Sequence, residues 1–340
     1  MLDLMVPQTL FATPVTLIAV MAVCVMALVV LRRIRMERPP VGVFNGRDIA
    51  VLYIFIIGLP LLYVVLPRWA LTGFLIVTFA AALSIGYRTV VPRQLLWPAI
   101  GLLIGAEIWV AQNMLGTVEG WQLFMVMNST LVLLTAVAVA NLYVQGGMRL
   151  QHVAWFAVTL GFYDLMFVSF TVRLADAFIG KPLNPSMGMR TGIFEANIGL
   201  GDLLVYALFT MAAFKAYGPK AARTAIGVIA VFGSIAPTVA PLIISEFTRG
   251  STNIVTPAQI FFGPAAITTY LLLKRRYGRE RTFAEYRADP SGSVPPLTRA
   301  TADARSVSPV SPVSPAAPAP AESPAAADVP APDATAARAE

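Results

Sequence analysis

Nine apolar stretches run through the chain at about 10–31, 49–66, 70–87, 95–112, 121–144, 153–174, 196–214, 224–246 and 255–273. About 20 consecutive apolar residues cross the ~30 Å hydrocarbon core of a bilayer as a helix. In hydrocarbon every backbone N–H and C=O must find its partner inside the protein, so segments of this length span as helices. The expected fold class is therefore an all-α membrane protein, a nine-transmembrane-helix bundle. Composition agrees: 57% of the chain is hydrophobic and 13% is charged, against about a quarter charged in soluble domains.

The basic residues orient the bundle. With the N-terminus outside, the inner side collects seventeen Lys and Arg, among them Arg32, Arg33, Arg88, Arg93, Arg149, Lys215, Lys274, Arg279 and Arg281. The outer side holds five: Arg68, Arg173, Lys181, Arg190 and Arg249. That bias predicts an odd number of spans, the N-terminus outside and the C-terminus cytoplasmic. The first span is followed by Arg and not by a small-residue cleavage site, so it reads as a retained helix. From Asp289 onward Pro, Ala and Ser dominate, with too little apolar surface to offset the entropy of ordering, and this predicts a disordered tail. Three regions follow: an N-terminal transmembrane scaffold at 1–150, a second transmembrane region at 151–288, and the tail at 289–340.

Several chemistries are excluded. The net charge of +7 comes from residues lying between spans, so it reads as topology control and not as a nucleic-acid footprint. The single cysteine, Cys24, allows no intrachain disulfide. With one histidine, His152, at a span boundary, neither an HExxH site nor a Cys/His zinc cluster can be assembled, so no metal or other cofactor is expected. The same histidine lies far in depth from any serine such as Ser234, against a serine mechanism.

Two aspartates stand out: Asp164 in "TLGFYDLMFVSF" and Asp202 in "NIGLGDLLVYALF". A carboxylate at bilayer depth costs several kcal/mol and is retained where it is paired, faces the bundle interior and serves a function. Helical rise, counted from spans beginning at 153 and 196, puts Asp164 about 14 Å and Asp202 about 9 Å below the outer face, on antiparallel neighbours. Two carboxyl groups in contact at low dielectric hold one proton between them. The ionised partner can take a proton from water while the acid partner donates to a carbonyl, which suits peptide hydrolysis without metal or covalent intermediate. Gly199 and Gly201 remove bulk just before Asp202 and let another backbone approach, or simply let two helices pack.

Tyr163-Asp164 in one span and Gly199-Leu200-Gly201-Asp202 in the next resemble the presenilin and signal peptide peptidase family of intramembrane aspartyl proteases, the GxGD type. The stretch "GFYDLMFVSFTVRLADAFIGKPLNP" and the nine-span, N-out layout are closer to the signal peptide peptidase branch. A third family element, Pro-Ala-Leu at the start of the ninth helix, is matched by Pro257-Ala258, with Gln259 where the family has Leu; Pro264 adds a second familiar proline. "VAPL" at Val239–Leu242 has the wrong order for this element. The resemblance covers about 153–273 and little beyond span count before that. It implies Asp164 and Asp202 as catalytic residues, and Tyr163, Gly199, Leu200, Gly201, Pro257 and Ala258 as substrate-binding or gating positions. It further implies transmembrane or signal-peptide segments as substrates, hydrolysed within the bilayer.

Two other readings use the same residues. A proton-coupled transporter or channel could employ the acidic pair as a relay, with Glu107 of the fourth span as a third member; against it, no inverted repeat is evident. Glu107 is instead expected near the outer boundary, reaching water. An inactive family member acting by binding is compatible with Gln259. The Arg- and Ala-rich, Lys-poor composition points to a bacterial chain and, with no retrieval signal visible at the C-terminus, to the plasma membrane as its location. No accessory subunit is implied.

Overall fold

A computed structural model describes residues 2–34, 51, 54, 58, 66–178, 183, 186–191, 194–248 and 256–290. The chain divides into two units, Met1–Leu297 and Thr298–Glu340, and every described residue belongs to the first. The second expected span, at 49–66, and the predicted tail beyond 290 lie almost wholly outside the described residues.

The described part is mostly helical. Its helices are α1 (Leu2–Arg33), α2 (Arg68–Tyr87), α3 (Arg93–Asn113), α4 (Val118–Gln145) and α5 (Leu150–Phe178). After a β-hairpin come α6 (Leu200–Tyr217), α7 (Pro219–Val228), a π-helical segment (Ile229–Ile235), α8 (Ala236–Thr248), α9 (Ala258–Tyr277) and the short α10 (Phe283–Ala288). Among the described residues six helical stretches are long and apolar enough to cross a membrane: Ala12–Arg33, Trp69–Tyr87, Arg93–Asn113, Val118–Gln145, Leu200–Tyr217 and Pro219–Ile244.

The centre of the bundle is α6. From Val205 to Tyr217 its side chains are all buried, enclosed by α1, α4, α5, α7 and α9. A helix apolar on every face is stable only when surrounded in this way or by lipid. The outer helices instead leave large apolar side chains uncovered, Leu102 and Val77 among them, as a lipid-facing surface does.

Two segments depart from the sequence expectation. Residues Ser186–Thr191 and Phe194–Gly199 form antiparallel strands β1 and β2, where only a loop and the start of the seventh span were expected. Accordingly α6 begins at Leu200 and not near 196. The physical reason is a period of two: the register pairs Met187 with Ile198, Met189 with Ala196 and Thr191 with Phe194. The intervening positions pair Gly188 with Asn197 and Arg190 with Glu195, the alternation that favours a strand. The hairpin lies against α4 through β1 and against α1 through β2. The eighth expected span is α7, the π-helical turn and α8 in succession, with Pro241 inside α8.

One end of the bundle is clamped by the segment after α9. The Leu150 and Gln151 backbone amides, the first of α5, donate to the two carboxylate oxygens of Glu280 at 2.9 and 3.1 Å. Arg281 donates to the Lys215 and Phe214 carbonyls in the last turn of α6 at 3.0 and 3.2 Å. Buried Lys215 in turn donates from Nζ to the Met148 carbonyl just before α5. Helix ends leave donors and acceptors without intrahelical partners, and here one connecting segment satisfies both the start of α5 and the end of α6.

Glu107 corrects an expectation. It does not reach water: it is 0% exposed, and its Oε1 accepts from the Leu183 backbone amide at 2.9 Å. Leu183 has a φ of 59°, a left-handed conformation that is costly for a branched side chain and needs an anchor. The carboxylate supplies that anchor on the segment between α5 and the hairpin.

Candidate active site

The clamp provides a common origin from which both aspartates can be measured. Asp164 lies fourteen residues beyond Leu150 on α5, and Asp202 lies fifteen residues before Tyr217 on α6. At 1.5 Å per residue these are about 21 and 22 Å from the clamped ends. The two helices pack directly, and the two carboxylates are near enough to interact electrostatically. The depth expected from a seventh span starting at 196 is thus replaced: Asp202 stands in the first turn of its helix, not the second.

That position follows from the local sequence. Gly199 closes β2 and is the N-cap of α6, with extended backbone at φ −63° and ψ 147°. Leu200 starts the helix and packs on the core, Gly201 follows, and Asp202 is the third helical residue. A carboxylate at this place can bond back to the N-cap amide, half of a capping box, and the Gly199 amide is hydrogen-bonded to Asp202. A Cβ on Gly199 would stand 3.4 Å from Asp202 Oδ2, whereas a Cβ on Gly201 would meet nothing within 4 Å among the described residues. Gly201 is exposed beside the carboxylate. Of the two glycines, Gly201 is the one that leaves room for an incoming backbone.

A third helix closes the site. Pro257 is the N-cap of α9, Ala258 its first residue and Gln259 its second. The Gln259 Nε2 amide donates to Asp202 Oδ1 at 2.8 Å. The backbone of the same residue presses on α5: a Cβ on Gly161 would come within 2.6 Å of the Gln259 carbonyl oxygen. Gly161 is three residues before Asp164 and so lies on the same face of α5. One turn further along, Gly263 makes a matching close approach to Ala157 and Val158. Small residues let helix backbones approach in this manner.

Beneath Asp202 the site has an aromatic floor. Tyr206, one turn later on α6, donates its hydroxyl to the Gly233 carbonyl in the π-helical segment at 2.9 Å. Its ring meets Phe262 edge-on at 5.2 Å, and Phe209 meets Phe262 likewise at 5.4 Å. Tyr163 is half-buried and interacts electrostatically with Asp164. Beside them Phe162 and Met166 are 63% and 60% exposed, so the pair lies one side chain's depth from the lipid-facing surface of α5.

The structure brings Asp164, with Tyr163 beside it, to interact with Asp202; Gly199, Leu200 and Gly201 form the helix start that carries Asp202, and Pro257 and Ala258 begin the helix whose Gln259 reaches it. Sequence reasoning missed Gly161 and Gly263 as the contacts that seat α9, and treated Gln259 only as a departure from a pattern. The signal for Gly161 was present: a small residue one turn before a buried carboxylate. Glu107 does not join this group, since its partner is the Leu183 amide. Comparisons with protein-family models, with curated proteins and with solved structures found no match to this chain.

Proposed function

We propose that this chain is an intramembrane aspartyl endopeptidase of the presenilin and signal peptide peptidase type, hydrolysing peptide bonds of transmembrane or signal-peptide segments within the bilayer. The observation that carries the reading is the carboxylate pair itself: Asp164 and Asp202 interact across neighbouring helices, equally far from a common clamp. Between them they hold one proton; the carboxylate takes a proton from water, and the acid donates to the scissile carbonyl as the water oxygen attacks. The proton taken from water then passes to the leaving nitrogen, the C–N bond breaks, and the proton lent to the carbonyl oxygen returns to the pair.

Access and substrate shape fit the same reading. Exposed Phe162, Leu165 and Met166 flank Asp164, so a helical segment diffusing in the bilayer reaches the pair from the side. A helix must be opened before its peptide bond can be attacked. Strand β2 ends at Gly199, paired there with Ser186 of β1 and three residues before Asp202, and a hairpin edge can hold an extended segment by strand addition. Gly201 leaves the backbone beside the carboxylate uncovered. Pro257, which lacks an N–H, starts α9 next to it. In the proposed arrangement nine helices span a plasma membrane, with the N-terminus outside, the C-terminus in the cytoplasm, region 1–150 as scaffold and 151–288 as catalytic region.

The test is reconstitution of the full chain in liposomes with a single-span peptide reporter. Wild type is expected to cut within the span, and Asp164→Ala and Asp202→Ala are each expected to abolish cutting. Cleavage surviving in either variant would overturn the assignment, and proton flux dependent on Asp202 without cleavage would favour a transporter.

A further inference from the structure

The two carboxylates are chemically alike but stand in unlike places. Asp164 is in the interior of a helix, where the backbone amides are already bonded within the helix. Asp202 is in the first turn of its helix, where free amides and the helix dipole favour negative charge. It receives the Gly199 amide from the N-cap of its own helix and the Gln259 side-chain amide from α9. A hydrogen bond donated to a carboxylate stabilises its ionised form.

Gln259 is held there at some cost. The residue is 1% exposed, and among the described residues its Oε1 has no hydrogen-bond partner. A buried acceptor left without a partner is destabilising, because it has given up its bonds to water. A leucine, which the family resemblance leads one to expect, would incur no such cost and would donate nothing to Asp202. The placement of the residue is set by the backbone contact at Gly161, so one residue touches both aspartate helices.

We propose that Gln259 is a positioning residue that breaks the symmetry of the pair, holding Asp202 as the carboxylate and leaving the shared proton on Asp164. The proposal rests on the protease reading only for its catalytic consequence: Asp202 is then the base that takes the proton from water, and Asp164 is the acid that donates to the substrate carbonyl. Among the described residues, the other ionisable groups facing the pair are Tyr163 beside Asp164, Tyr206 below Asp202, and Cys24 of α1, which interacts with Tyr206.

The experiment is infrared difference spectroscopy of the full chain in liposomes across pH, with reporter cleavage measured on the same preparations. While the pair holds one proton, the protonated-carboxyl C=O band is expected to vanish in Asp164→Asn and the paired carboxylate band in Asp202→Asn. In Gln259→Leu the Asp202 carboxylate band shifts, and kcat falls about tenfold with little change in KM, as loss of one hydrogen bond to a charged group predicts. Should Gln259→Leu fail to fold, Gln259→Glu keeps the shape and can donate only while protonated. Its cleavage is then expected to persist in acid and to decline at lower pH than in wild type. A C=O band that disappears in Asp202→Asn instead, a Gln259→Leu spectrum identical to wild type, or a Gln259→Glu pH profile identical to wild type would overturn the proposal. If the expected bands appear and wild type cuts no reporter, the proton assignment stands and the protease reading falls.

Discussion

Two glycines near the aspartates look interchangeable in sequence and are not. At Gly161 a Cβ would meet the Gln259 carbonyl oxygen at 2.6 Å, a backbone atom that cannot swing aside. Gly161→Ala is expected to push α5 from α9 and destabilise by about 1–3 kcal/mol, the usual cost of overpacking. At Gly201 a Cβ meets nothing within 4 Å among the described residues, so Gly201→Ala is expected to leave stability within about 0.5 kcal/mol of wild type while reducing reporter cleavage. Thermal unfolding in detergent, run beside the cleavage assay, separates the two: equal destabilisation by both substitutions would contradict this assignment. Glu107 carries the same lesson. Its position near the end of an apolar span suggests water, yet its burial and its bond to Leu183 make it a structural anchor.

At the scale of elements, the clamp matters most. Glu280 accepts from both initial amides of α5, and its charge lies near buried Lys215. Glu280→Ala removes a charged cap and should cost about 2 kcal/mol. It should also loosen the level match of the aspartates, so cleavage falls although the substitution is about 20 Å from them; unchanged activity would show that the clamp does not set that level. A second element has a pH signature. Thr282 and Glu285 form a capping box at the start of α10, and Glu285 also pairs with Arg279. The Thr282 amide, then Arg279, hold the Glu285 carboxyl below its ordinary value of 4.5. Its stabilisation of α10 is therefore complete above that value and is lost as pH falls through the lowered one. Amides of residues 283–288 should exchange faster with deuterium near pH 3 than near pH 6, after correction for intrinsic rates; Glu285→Gln should remove most of the difference.

For the whole molecule the test is orientation. In the proposed topology the connection between α3 and α4, at Met114–Thr117, faces outside, and the one between α4 and α5, at Gly146–Arg149, faces the cytoplasm. Replacing buried Cys24 and adding one cysteine at a time, a membrane-impermeant thiol reagent applied to intact cells should label Thr117→Cys and not Gly147→Cys. The reverse pattern would invert the bundle. Hydropathy made the helical, membrane-spanning character legible, because the partition of a twenty-residue apolar segment into lipid is a sum of local contributions and needs no knowledge of neighbours. The catalytic candidates were legible for a related reason: a carboxylate in an apolar span is costly wherever the span packs. The hairpin was half legible, its alternation of Met187, Met189, Phe194, Ala196 and Ile198 hidden beside a span that a window of twenty residues absorbs. The contacts that give the site its form were not legible. Gln259 meets Asp202 across 57 positions, Gly161 meets the Gln259 backbone, and Glu280 reaches back 130 positions to Leu150. Such contacts depend on how helices turn and approach one another, a collective outcome of packing that local composition does not encode.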